Sequence, residues 1–200
     1  RHHDGFCLWD SGVRVPPLWD DGKARDLLAP LKKAVEGKGL KFGLYYSIMD
    51  WTHPDWPGRR AWNDLWDRRE PNPGKFKSYV EAQLRELASA YTPAVIWFDG
   101  EWEDAWTREQ GLRIGRVVRG LLPDAIVNDR FAKGRERMKR RTPGETADHG
   151  DFGTPEQEVP RRALPDVDWE TCLTMNDTWG YKASDQNFKT TRELIRTLVD

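Results

Sequence analysis

The chain has 200 residues, 32 basic against 33 acidic side chains and a net charge of −1. That balance leaves no electrostatic footprint for nucleic acid and no polybasic patch for a membrane surface. No stretch approaches the 18 or more apolar residues of a membrane span, and the composition is that of a soluble globular protein.

In chain order, Gly5 to Trp9 reads as a strand. A helix follows from about Asp26 to Lys38, with Leu27, Leu28, Leu31, Ala34 and Val35 on one face and Pro30 near its first turn, where proline does least harm. Leu40 to Tyr46 is the next strand. An irregular stretch rich in Trp and Pro, Ser47 to Pro73, leads into a helix with the stripe Phe76, Val80, Leu84, Leu87 and Tyr91. Pro93 to Asp99 is a short apolar, β-branched and aromatic strand. Thr107-Arg108-Glu109-Gln110 is a capping box that opens a helix with Ile114, Val117, Val118 and Leu121 inward. Ala125 to Asn128 is a strand, Phe131 to Pro165 a long polar loop of the kind that carries function or moves, and Val167 to Met175 a further strand. A second capping box, Thr190 to Glu193, opens the last helix. Five strands alternating with four helices predict an α/β fold with a parallel sheet. A complete (β/α)8-type barrel takes about 250 residues. The expectation is therefore one domain over residues 1–200, an incomplete barrel truncated at both ends. The start at Arg1 without Met and the stop in a helical pattern agree with that, so a missing leader says nothing about location.

Asp99 is the most informative residue. Buried strands seldom end in a carboxylate, because an unpaired charge is costly to bury. By alternation Val95, Trp97 and Asp99 share one face. At the carboxyl end of a barrel strand Asp99 stands in the mouth, where catalytic residues sit, with Trp97 one layer below. A carboxylate beside a large aromatic suits sugar chemistry. The 11 Trp agree with a site that binds rings by stacking, against the alternative of a Trp-rich core or interface. Cys7 and Cys172 lie in strand-like segments and read as buried free thiols.

Several segments together resemble the α-L-fucosidases of glycoside hydrolase family 29. They are Arg1-His2-His3-Asp4-Gly5-Phe6, Phe42-Gly43-Leu44-Tyr45-Tyr46-Ser47, Val95 to Gly100, Val127-Asn128-Asp129-Arg130, Gly150 to Gln157, Trp169-Glu170-Thr171-Cys172 and Trp179-Gly180-Tyr181. One such motif alone is weak, but their order along nearly the whole chain makes them specific. The resemblance implies a retaining exo-α-L-fucosidase that releases terminal fucose from glycans. In such chemistry one ionised carboxylate attacks the anomeric carbon and one protonated carboxyl releases the leaving group, the two about 5 to 5.5 Å apart. Asp99 matches the nucleophile and Glu156 best fits the acid/base, with Glu158 and Glu170 as competitors. The resemblance further implies that His2 and His3 donate hydrogen bonds to fucose hydroxyls, with Tyr45, Trp97, Arg130 and Trp179 completing the pocket. It implies no cofactor and no metal, a fucosylated oligosaccharide or glycoconjugate as substrate, and a secreted, periplasmic or lysosomal setting. Oligomeric state is left open.

Other readings stand beside these. His2 and His3 can be metal ligands with Asp4 or His149, although neighbours in a regular strand point to opposite faces. His53 and His149 read as exposed loop residues. Glu101, Glu103 and Asp104 read as a solvated acidic loop. Arg130 can hold a loop salt bridge instead of a sugar or the nucleophile, and Trp179 can be a core residue. A carbohydrate-binding fragment without catalysis is the alternative function; a metal-dependent hydrolase lacks a coherent ligand set. Two departures from the family pattern stand out. Phe131 replaces a frequent Trp, and the family's further fucose contacts, a His and a Glu-Trp pair on strands upstream of the His-His-Asp segment, are not in this chain.

Overall fold

The computed structural model describes residues 1–14, 23, 25–58, 70–134, 150–160 and 168–199. Its strands are β1 (Gly43–Ser47), β2 (Val95–Asp99), β3 (Ile126–Val127), β4 (Phe152–Gly153) and β5 (Asp168–Trp169), and its helices are α1 (Leu28–Glu36), α2 (Pro73–Tyr91), α3 (Arg108–Leu121) and α4 (Thr191–Val199). β1 and β2 run parallel with Gly43 opposite Val95 and Ser47 opposite Asp99. β3 pairs parallel on the other side of β2. A parallel bridge between Asn128 and Phe152 carries the sheet on to β4, which pairs parallel with β5. Strands that neighbour one another in sequence therefore neighbour one another in space, as in an arc of a (β/α) barrel.

The helices follow from their end signals and stripes. Asn72 caps α2 by accepting the Lys75 N–H at 3.0 Å, Pro73 occupies the first turn, and Thr92 ends the helix in a left-handed conformation at φ 43°. Phe76, Val80, Leu84, Leu87 and Tyr91 are all buried. The Thr107–Gln110 capping box is formed in both directions at α3, and at α4 the Glu193 carboxylate accepts from Thr190 while Thr190 Oγ1 accepts from the Glu193 N–H. The stripes of α2 and α3 cover one face of the sheet, where Leu44, Tyr46, Ile96, Phe98 and Val127 complete the core. The opposite face presents Tyr45, Trp97 and Asp99, which the alternation of β-strand side chains requires.

Three expectations fail locally. Gly5 to Trp9 is not a strand. Asp4 turns the chain by accepting the Phe6 N–H at 2.9 Å, and Gly5 sits at φ +72° with Asp50 so close that a Cβ would lie 2.2 Å from its carboxylate. The segment is tied to the end of β1 by Arg1 O accepting from Ser47 N (3.1 Å) and His3 O from Trp51 N (2.8 Å). The long loop contains β4, too short for its alternation to show, although part of that loop (135–149 and 161–167) lies outside the described residues. The strand expected from Val167 to Met175 is reduced to Asp168–Trp169 and a bridge at Cys172. Among the described residues there are five strands and four helices, with β4 in place of the expected amino-terminal strand.

Candidate active site

The site is built at the carboxyl ends of β1 and β2. Tyr45 and Trp97 are register partners, and their rings stack with centroids 5.5 Å apart. One step further along β2, Asp99 is 8% exposed. Tyr45 Oη donates to Asp99 Oδ2 at 2.6 Å, and Arg130 Nη1 donates to Oδ1 at 3.1 Å. Both carboxylate oxygens are thus held, one by a β1 side chain and one from the turn after β3, which satisfies the rule that a buried charge is paired. His3 Nε2 lies 3.7 Å from Oδ2. His2 is exposed, stacks on Tyr45 and sits with its ring 4.0 Å from that of His3.

Arg130 is the hub. It is 2% exposed and its guanidinium serves Asp99, Glu156 Oε2 (2.7 Å), Thr154 Oγ1 (2.8 Å) and Thr154 O (3.2 Å), while Cζ stands 4.9 Å over the Trp97 ring. Burial opposes its charge, but the bond to Glu156 and the charges of Asp99 and Glu156 outweigh it and hold Arg130 above its ordinary value. Burial also pushes the Tyr45 phenol well above its usual range, with the Asp99 bond acting in the same direction, so Tyr45 remains a donor. Burial, aided by His2 and opposed by Asp99, brings His3 down to about 4. Glu170 accepts the Trp97 indole N–H and pairs with no cation among the described residues.

These side chains enclose one cavity of about 530 Å³. His2, His3, Tyr45, Trp97, Asp99, Arg130, Glu156 and Trp179 all line it, joined by Trp102, Glu170 and Cys172. A second hollow, about 380 Å³, lies along the outer edge of β1 against Leu28, Leu31, Phe42 and Leu87 and is mainly apolar.

The α-L-fucosidase family matches residues 1–200. The chain belongs to that family. It is 30% identical to the tissue α-L-fucosidase of Mus musculus over 215 residues, which is all of this chain and 42% of the relative, and 29% identical to that of Homo sapiens over 195 residues, 91% of this chain and 37% of the relative. The chain therefore spans about two fifths of the length of these curated relatives. Among solved structures it is similar to the Lactobacillus casei α-L-fucosidase AlfC in complex with α-L-fucose product, with 29% identity, 98% of this chain and 61% of that chain covered, and a TM-score of 0.70. A Bacteroides thetaiotaomicron α-L-fucosidase at 24% identity and TM-score 0.73, covering 99% of this chain and 47% of that one, shares the fold.

In and around this cavity several residues stand differently from their sequence reading. Glu101 is 3% exposed and His53 7%, so neither is a solvated loop residue. His53 packs between the rings of Phe76 and Tyr79, and its Nδ1 accepts the Asp55 N–H. His149 lies outside the described residues. Cys172 is only half-buried, on the cavity wall 3.8 Å from Arg130. Glu158 is exposed and its carbonyl accepts from Thr171 Oγ1. Trp102 carries no local signal beyond its place in the βα loop after β2, where site residues of a (β/α) barrel gather; its ring meets His3 edge-on at 5.6 Å. Among the described Trp, Trp56 and Trp106 are fully buried in the core, whereas Trp97, Trp102 and Trp179 line the cavity.

Proposed function

We propose that this α-L-fucosidase family chain is the catalytic part of a retaining exo-α-L-fucosidase, a (β/α)8-type barrel domain of which residues 1–200 form an arc. The observation that carries the reading is the single cavity in which Asp99, gripped through both oxygens, faces Glu156 beside a wall of Tyr45, Trp97 and Trp179. Asp99 attacks the anomeric carbon of a terminal α-L-fucoside while an acid protonates the departing glycosidic oxygen. The same group, now a carboxylate, then takes a proton from the water that cleaves the fucosyl ester. Tyr45 and Arg130 orient the attacking carboxylate. His2, His3 and Arg130 bond the fucose hydroxyls, and Trp97 and Trp179 supply apolar surface for the ring and its methyl group.

Glu156 fills the acid/base role in this reading, and it has to leave Arg130 to reach the leaving group. Glu170 is the second reading, favoured by its place on the same cavity without a cationic partner among the described residues. The substrate class is a fucosylated glycan. A relative at 29% identity, AlfC, has been solved in complex with Fucα(1,6)GlcNAc. No described helix is long and apolar enough to cross a membrane. The test is NMR of the first-formed anomer during hydrolysis of an aryl α-L-fucoside. Double displacement yields α-fucose first; β-fucose as the initial product refutes it.

A further inference from the structure

We propose that Ser47 fixes His3 as the tautomer protonated on Nδ1, so that its bare Nε2 meets the sugar as an acceptor and the hydroxyl seated there has to donate. The inference rests on reading the cavity as the fucose site, and it reverses the donor role that the family resemblance implies for His3.

The argument is a count of protons. Ser47 ends β1 opposite Asp99 and is fully buried. Its Oγ donates to the Met49 carbonyl at 3.0 Å and lies 2.7 Å from His3 Nδ1. A hydroxyl has one proton and a carbonyl has none to give. With that proton directed at Met49 O, the bond between Oγ and Nδ1 forms only if the imidazole donates. The reverse assignment leaves a buried carbonyl facing a lone pair, a group whose partner is lost at full desolvation cost. A neutral imidazole carries one proton, and it is then on Nδ1.

The other side of the ring agrees. Nε2 is 3.7 Å from Asp99 Oδ2, beyond hydrogen-bond length. A protonated Nε2 so near a buried carboxylate would close on it, whereas two acceptors hold apart. Oδ2 takes its proton from Tyr45 instead. Burial keeps the ring neutral, and the tilted Trp51 ring and the edge-on Trp102 ring against it, together with the Trp51 N–H on the His3 carbonyl, hinder it from turning over. Ser47 is thus a positioning residue that acts through His3, and the acceptor it exposes selects for a hydroxyl donor at that point of the cavity.

Long-range 1H–15N correlation spectra of the purified protein labelled with 15N-histidine test this directly, the His3 ring being assigned by its loss in His3→Gln. The expected resting state at neutral pH is Nδ1 protonated and Nε2 unprotonated. Ser47→Ala should shift the population toward Nε2–H and raise KM for an aryl α-L-fucoside about tenfold, the worth of one hydrogen bond, with a much smaller change in kcat. Ser47→Thr keeps a hydroxyl and should keep the tautomer. A protonated Nε2 in the parent protein overturns the proposal, and so does a tautomer that Ser47→Ala leaves unmoved. Should Ser47→Ala not fold, the parent spectrum decides alone. The expected spectra in a protein that neither binds nor cleaves fucosides would leave the Ser47–His3 relay standing and sink the fucosidase reading.

Discussion

Replacing Arg130 by Met isolates the electrostatic work of the hub, because Met nearly refills the space of the aliphatic stem and brings no charge. The Arg130 side chain is 2% exposed and that of Asp99 12%, so the change leaves a buried carboxylate without its cation. Removing one member of a buried pair costs about 3–5 kcal/mol. Glu156, with its side chain 35% exposed, regains water and adds little. Tyr45 still donates to Asp99, which places the expected loss near the lower end, about 3 kcal/mol at neutral pH. Urea denaturation of the parent and variant proteins measures it. A loss under about 1 kcal/mol refutes the reasoning. Arg130→Lys should recover part of the stability yet remain catalytically poor, because one ammonium cannot reach Asp99, Glu156 and Thr154 together.

Glu156→Ala should retain activity on aryl fucosides with good leaving groups and respond to added azide, which replaces the lost base step; if Glu170→Ala shows that pattern and Glu156→Ala does not, the two roles are exchanged. Gly111→Ala should destabilise by about 2–3 kcal/mol in a thermal melt, since its Cβ would lie 2.2 Å from Phe131 O and 2.5 Å from Ala132 Cα, both backbone atoms next to Arg130. His3 contributes a pH dependence whose sign is fixed. Its folded value of about 4 lies below the unfolded 6.5, so the folded state declines a proton that the unfolded chain accepts. The stability this residue supports is whole above 6.5 and drains away as pH falls toward 4. Urea midpoints against pH should show that sag in the parent and lose it in His3→Gln; parallel curves would contradict it.

Much of the architecture is legible along the chain because it is written in short windows. The α2 stripe, both capping boxes and the β2 alternation that ends on Asp99 need only contacts three or four residues apart, or the two-residue period of a strand. The ordered motifs likewise hold eight of the eleven residues that line the cavity as site candidates. What they meet is decided elsewhere. Tyr45 reaches Asp99 across 54 positions, Arg130 reaches Glu156 across 26, and Trp97 reaches Glu170 across 73. No local pattern encodes such pairings, because a side chain's partner depends on which strand ends the sheet brings together. For the same reason Glu101 and His53 look like solvated loop residues in sequence yet are buried in the fold, and the amino-terminal segment looks like a strand until Asp4, Gly5 and Asp50 turn it. The ordered motifs carried the family resemblance, and alternation carried the strand that ends on Asp99. Only the packed structure decides that one guanidinium is shared by two carboxylates and that His3 turns Nδ1 to Ser47 and Nε2 toward Asp99.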